Sequence, residues 1–225
     1  MSTSILVGRL AGPWYALYGE RLLHLWVFKA TGTSAFMAIF FYGYFAALES
    51  PVHPVAVMPT TPLDDWIAFW PPAFYLYASL WVYTSLVPAL QPSLLRLVAY
   101  GVGIGALCLT GLVLFTFLPT AVPYGPSSWP ADASLSLLHS LDAPGNACPS
   151  LHVATALFSA LCLHRLLREM PSPGWLKVLN WLWCALIMYS TLAIKQHVVW
   201  DAVAGIALAL PFAWLYAQLE KRLAD

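Results

Sequence analysis

Charge is what this sequence has least of. Lys, Arg, Asp and Glu make up 9% of its 225 residues, against 60% hydrophobic residues and a mean hydropathy of +0.73. A soluble globule carries about 25% charged residues because its surface must be solvated. Ten basic and ten acidic side chains cannot coat a water-facing domain of this size. That excludes a cytosolic enzyme, a secreted module and a disordered chain, and leaves lipid as the main solvent. The two signs balance, so the positive excess that a nucleic-acid partner needs is missing. Cysteine is scarce as well. Cys108, Cys148, Cys162 and Cys184 form no CxxC pair and show no Cys/His metal spacing, so neither a zinc site nor a disulfide framework is supported. Three of them lie in apolar runs as small buried hydrophobes. No internal repeat is visible. Met1 to Leu23, with Arg9, Glu20 and Arg21, lacks the pattern of a cleavable signal, and the first long apolar run reads as a retained span.

What is present is long apolar sequence. Six stretches approach the roughly 20 residues that cross a hydrocarbon core: 25–48, 70–90, 94–118, 150–168, 175–195 and 198–219. They predict an all-α polytopic membrane protein, a six-transmembrane-helix bundle forming a single membrane-embedded domain over residues 1–225. Glu49 to Asp65 and Pro119 to Pro149 are proline-rich and read as loops, because a helix interior does not tolerate such spacing. With six spans, Arg9, Arg21, Lys29, Arg96, Arg165, Arg168, Lys177, Lys221 and Arg222 share one side and Lys195 stands alone on the other. The positive-inside rule then puts both termini in the cytoplasm and the proline-rich loops outside, facing the exterior, periplasm or a lumen. Trp66, Trp70, Trp129, Trp175 and Trp200 fall near span ends as interfacial anchors. Gly101, Gly103, Gly105 and Gly111 let a neighbouring helix approach the third span, within the chain or across a dimer.

Lipid should have excluded the next residues. An Asp inside a span costs on the order of 2.5–3.5 kcal/mol on insertion scales. The sixth span nevertheless opens Lys195-Gln196-His197-Val198-Val199-Trp200-Asp201. His197 and Asp201, four apart, share a helix face. A carboxylate there can fix the imidazole tautomer and prepare it as nucleophile or base; the alternative is a structural His–Asp tie between helices. The second cluster, Asn146-Ala147-Cys148-Pro149-Ser150-Leu151-His152, stands at the outer mouth of the fourth span. Pro presets a first helical turn, whose N–H groups and dipole favour phosphate. Ser150 adds a hydroxyl and His152 lies one turn inside, unless Asn146 or Ser150 simply caps the helix. Both clusters fall at the outward ends of their helices, so His152, His197 and Asp201 can meet in one pocket. Two histidines and a carboxylate suit phosphoryl transfer without a metal.

With these residues in place, the sequence resembles the type 2 phosphatidic acid phosphatase superfamily of membrane phosphatases and phosphotransferases. Pro149-Ser150-Leu151-His152 is similar to its Pro-Ser-x-His signature. Ser190-Thr191, five residues, His197, three residues and Asp201 are similar to its Ser-Arg-x5-His-x3-Asp signature, with Thr191 where the family has Arg. The Lys-x6-Arg-Pro signature is not found before the fourth span. The runs Phe117 to Tyr124 and Asp142 to Ala154 resemble most the branch containing inositol phosphorylceramide synthases. The resemblance implies His197 as nucleophile through a phosphohistidine, His152 as general acid, Asp201 orienting His197, and Ser150 on the phosphate. It implies no metal and no cofactor. The missing cations leave Lys195 as the compensating donor or a snorkelling lysine, with Ser190, Thr191 and Asn146 as further substrate contacts.

Elsewhere, His139 and Asp142 read as loop residues within reach of a headgroup. Asp64 and Asp65 read as caps of the second span rather than a metal site. His53 has no visible partner, and His24 and His164 are interfacial. The expected activity is that of a lipid phosphatase or phosphotransferase, with a membrane lipid phosphate as substrate and water or an alcohol as acceptor. The alternatives are a sphingolipid headgroup synthase and, in another class, a proton-coupled transporter using His197 and Asp201 as a relay. The sequence is silent on oligomeric state.

Overall fold

Prolines and polar breaks cut the apolar sequence into helices of unequal length. The computed structural model describes residues 14–124 and 145–224; Arg9, Trp129, His139 and Asp142, weighed above, lie outside them. The chain begins with α1 (Trp14–Leu23) and α2 (Trp26–Glu49), separated at Leu25, whose φ of 57° ends the first helix. The buried Lys29 crosses that break: its Nζ donates to the carbonyls of Arg21 (2.5 Å) and Ala89 (2.8 Å). A short strand β1 (Ala56–Val57) and a short helix α3 (Pro62–Trp66) follow, then α4 (Ala73–Ala78), α5 (Leu80–Ala89) and α6 (Leu94–Phe117). Strand β2 (Thr120–Ala121) pairs in parallel with β1, Ala56 opposite Thr120. The described chain ends with α7 (Leu151–Glu169), α8 (Gly174–Ala193) and α9 (Val199–Ala224).

Four of these helices, α2, α6, α8 and α9 over Val199–Leu223, are long and apolar enough to cross a membrane. The fold is an all-α, multi-pass membrane architecture. The expected span 70–90 is not one helix but two, α4 and α5, with a turn at Ser79, whose Oγ donates to the Leu76 carbonyl and accepts from Trp183 Nε1. Pro88 inside α5 has no N–H to give the Thr84 carbonyl, and the Tyr100 hydroxyl approaches that carbonyl instead at 3.4 Å. The expected loop through Asp65 also contains α3, which begins with Pro62 in the first turn, where proline is tolerated.

Helix α7 is about 28 Å long at about 1.5 Å per residue. His152, His164, Arg165, Arg168 and Glu169 lower its hydropathy, and it lies in the middle of the bundle against α5, α6, α8 and α9. Small residues let it sit there: Ala154, Ala156, Ser159 and Ala160 are fully buried. Gly111 of α6 packs against Leu151 and Gly103 against Phe158, whereas a Cβ at Gly101 would meet open space. At the α6 start, Arg96 binds Glu169 bidentately at 2.7 and 2.9 Å and also bonds Glu220, which accepts from Arg165 and the Tyr216 hydroxyl. Three helix ends, those of α6, α7 and α9, are thereby tied by paired charges.

At the opposite end of α7 the tie is backbone to backbone. A Cβ at Gly205 of α9 would stand 2.5 Å from the Ser150 carbonyl oxygen. Gly205→Ala must push α9 away from α7, so its thermal unfolding midpoint in detergent is expected to fall clearly. Gly101→Ala, with free space, is expected to leave the midpoint unchanged or slightly raised. Equal midpoints for the two variants would contradict the packing.

Candidate active site

The two polar clusters meet where α7 and α9 begin. Ser150 caps α7: its backbone is extended, its Oγ accepts from the Val153 amide at 3.3 Å, and its own amide donates to the Asp201 carbonyl at 3.0 Å. The hydroxyl proton remains free to be donated. Before it, Asn146 has φ 52°, a conformation Asn adopts more readily than most residues, and its side-chain amide donates to the Tyr44 carbonyl at 3.0 Å. Thr120 of β2 holds the same segment, accepting from the Ala147 amide on its carbonyl and from the Cys148 amide on its hydroxyl.

His197 is presented by a tight reversal after α8. Lys195 has φ 59°, and the amides of Gln196 and His197 both donate to the Thr191 carbonyl, at 3.1 and 3.2 Å. The chain then enters α9, where the fully buried Asp201 accepts from the Val198 amide at 2.9 Å through Oδ2. The same oxygen lies 3.5 Å from His197 Nδ1, one small rotation from a hydrogen bond.

The rings of His152 and His197 are 5.9 Å apart between centroids and tilted by 54°. Tyr77 of α4 stacks on His152 at 4.2 Å, and Trp81 of α5 meets it edge-on at 5.7 Å. The Tyr77 hydroxyl is 3.4 Å from His152 Nδ1. Among the described residues, His152 Nε2, His197 Nδ1, Gln196 Nε2 and Asp201 Oδ1 are buried yet make no well-formed hydrogen bond. The Cys148 thiol stands beside the Asp201 carboxylate in poorer geometry; burial, and then that charge, push its pKa up to about 11. Buried polar atoms without partners are rare, and four around two imidazoles mark a place built for a polar ligand.

The other expected contacts are placed differently. The Ser190 hydroxyl donates to the Ile187 carbonyl at 2.6 Å and Thr191 to the Met188 carbonyl at 2.8 Å, so neither has a proton left for a phosphate in this arrangement. Lys195 Nζ donates to the carbonyls of Asp64 and Ile67, both at 2.6 Å, and lies over the Tyr124 ring. Asp64 does more than cap. Its Oδ2 accepts from the Thr61 amide and hydroxyl, and its Oδ1 accepts from the Val199 amide at the start of α9. Helix α3 is thus clasped to the turn that carries His197. Nothing in the sequence signalled Asp64, Tyr77 or Trp81 as neighbours of the site, since each acts across a long separation; Cys148 was visible only by standing beside the α7 motif. Among the described residues, no three His, Cys, Asp or Glu side chains form a metal-binding group.

A family model described as the PAP2 superfamily matches residues 94–224, more than half of the chain and all of α6 to α9. The chain belongs to the PAP2 superfamily. No curated protein and no solved structure matches it. Membership of the PAP2 superfamily, which generally comprises phosphatases, points to phosphatase or phosphotransferase chemistry. His152, His197 and Asp201 fall within the matched PAP2 region; Tyr77, Trp81 and Asp64 precede it.

Asp64→Ala would strand the Thr61 and Val199 amides at once, at about 1–3 kcal/mol for each buried group left unpaired. A clearly lower unfolding midpoint is expected, while Asp65→Ala, at an exposed position, should leave it unchanged. Similar midpoints for both would remove Asp64 from the clasp.

Proposed function

We propose that this protein is an integral membrane lipid phosphatase or phosphotransferase working through a phosphohistidine. The observation that carries this reading is the pair of imidazoles from two helices, 5.9 Å apart, with buried nitrogens lacking partners, in a PAP2 chain. Asp201 accepts a hydrogen bond from His197 Nδ1–H, which holds the tautomer whose Nε2 lone pair attacks phosphorus. As the P–N bond forms and the ester P–O bond breaks, His152 gives its proton to the leaving oxygen. His152 then takes a proton from the acceptor, whose oxygen attacks phosphorus and releases His197. Water as acceptor makes a phosphatase; an alcohol makes a headgroup synthase. The Ser150 hydroxyl and the positive end of α7 hold the phosphoryl oxygens. Lys195 acts through the turn it pins to α3, with one ammonium proton still available.

In the same reading, α7 and the α4–α5 pair join the four long apolar helices to make six crossings. The tied charges of Arg96, Arg165, Glu169 and Glu220 then lie toward the cytoplasm. The two histidines lie at the opposite, non-cytoplasmic face, consistent with the distribution of basic residues.

Purified protein in detergent is expected to release phosphate, or form a new headgroup lipid when an alcohol is supplied, from a panel of lipid phosphates with EDTA present. His197→Ala is expected to abolish this with an unchanged unfolding midpoint; full turnover would remove His197 from the mechanism. His152→Ala should slow lipid phosphates by about 10²–10⁴. The loss should be much smaller with an aryl phosphate, whose phenolate leaves without protonation. Equal losses on both substrates would deny His152 the acid role.

A further inference from the structure

Below the two histidines, a half-open cavity of about 870 Å³ runs between α2, α5, α6 and α7. Its walls are almost wholly apolar, and His152 and Thr155 lie at one end. Leu94, Pro88 and Lys29 lie at the other, where the Lys29 ammonium is already tied to two carbonyls and closes the floor. Along α6 the lining runs from Leu94 to Cys108. The fourteen steps from 94 to 108, at about 1.5 Å each, make about 21 Å. One leaflet of a bilayer has about 15 Å of hydrocarbon, half of the ~30 Å core. The cavity is therefore deeper than a leaflet, and it is continuous with the general acid of the proposed reaction.

Two glycines set its bore. Gly101 is midway along the α6 lining, and Gly32 is one turn above Phe28 near the floor. Both are exposed, and a Cβ built on either meets nothing within 4 Å, so neither packs against a neighbour. This separates them from Gly103 and Gly111, which are filled by Phe158 and Leu151. Helix packing does not account for a missing side chain at 32 and 101.

Resting on the lipid phosphate reading above, we infer that this cavity holds the hydrocarbon chain of the substrate and measures its length, and that Gly101 and Gly32 are specificity-determining residues admitting a chain longer than one leaflet is deep. The phosphate sits against His152 and the chain descends past Trp81 toward Lys29. Selection is steric: a chain leaving lipid for an apolar cavity gains little from hydrophobicity, because its surroundings were apolar already. What matters is whether it fits.

The test uses full-length enzyme in detergent and a series of monoalkyl phosphates differing only in chain length, comparing wild type with Gly101→Leu and Gly32→Leu. Wild type is expected to accept chains up to the full depth. Gly101→Leu should keep activity on short chains and lose at least about tenfold in kcat/KM once the chain passes the middle of the cavity. Gly32→Leu should lose only the longest chains. The unfolding midpoint of each variant is measured alongside, and His197→Ala serves as the blank. Profiles that fall by one factor at every length, or do not change at all, overturn the inference and leave the cavity to a bilayer lipid. If that happens while His197-dependent turnover of short chains persists, the phosphatase reading stands alone. No His197-dependent turnover of any member overturns both.

Discussion

The amide of Ser150 donates to the carbonyl of Asp201, and this contact exists because residue 205 has no side chain to keep the two backbones apart. It joins the first turn of α7, which carries His152, to the first turn of α9, which His197 precedes by two residues. The separation of the His152 and His197 rings follows from a backbone contact rather than from the rotamers of long side chains. The arrangement around it reinforces the same joint: Asp64 holds the Val199 amide, and Thr120 holds the residues before Pro149. At the far end of the bundle the ties are of another kind. Arg96, Arg165, Glu169 and Glu220 are charged and paired with one another, with Arg96 Nε left over, whereas His152, His197 and Asp201 leave three buried polar atoms without a partner.

Much of the local pattern was legible in the sequence. His197 and Asp201 share a face because they are four apart, and Pro149 and Ser150 mark a helix start by their backbone preferences alone. Six apolar stretches gave the class of fold, and four of them stand as long apolar helices. The break at Ser79 was not legible, since the residue is unremarkable until Trp183 from α8 donates to it. Neither was the central place of α7, whose charges depress its hydropathy although Arg165 and Glu169 are paired across the bundle.

The candidate site was legible in its two imidazoles and its carboxylate, and less so in its surroundings. Ser190, Thr191 and Lys195 looked like phosphate donors because a sequence reports donor types without saying where their protons go. Here the first two turn back onto their own helix and the third onto α3. Asp64 gave no hint of its span, because its partner Val199 is 135 residues away. Stacking rings such as Tyr77 over His152 are similarly invisible, since aromatic residues fill every part of this chain.

The ladder of β1 and β2 is only two residues long, yet it has reach. Ala56 and Met58 are fastened to 119 and 121, Thr120 is fastened to 147 and 148, and these lead into the cap of α7. Three pieces of chain that sequence composition alone would call loose are sewn into one rib beside the histidines. The entropy of ordering that rib is lost when the bundle assembles, not when an anion arrives, so the pocket meets its ligand already rigid.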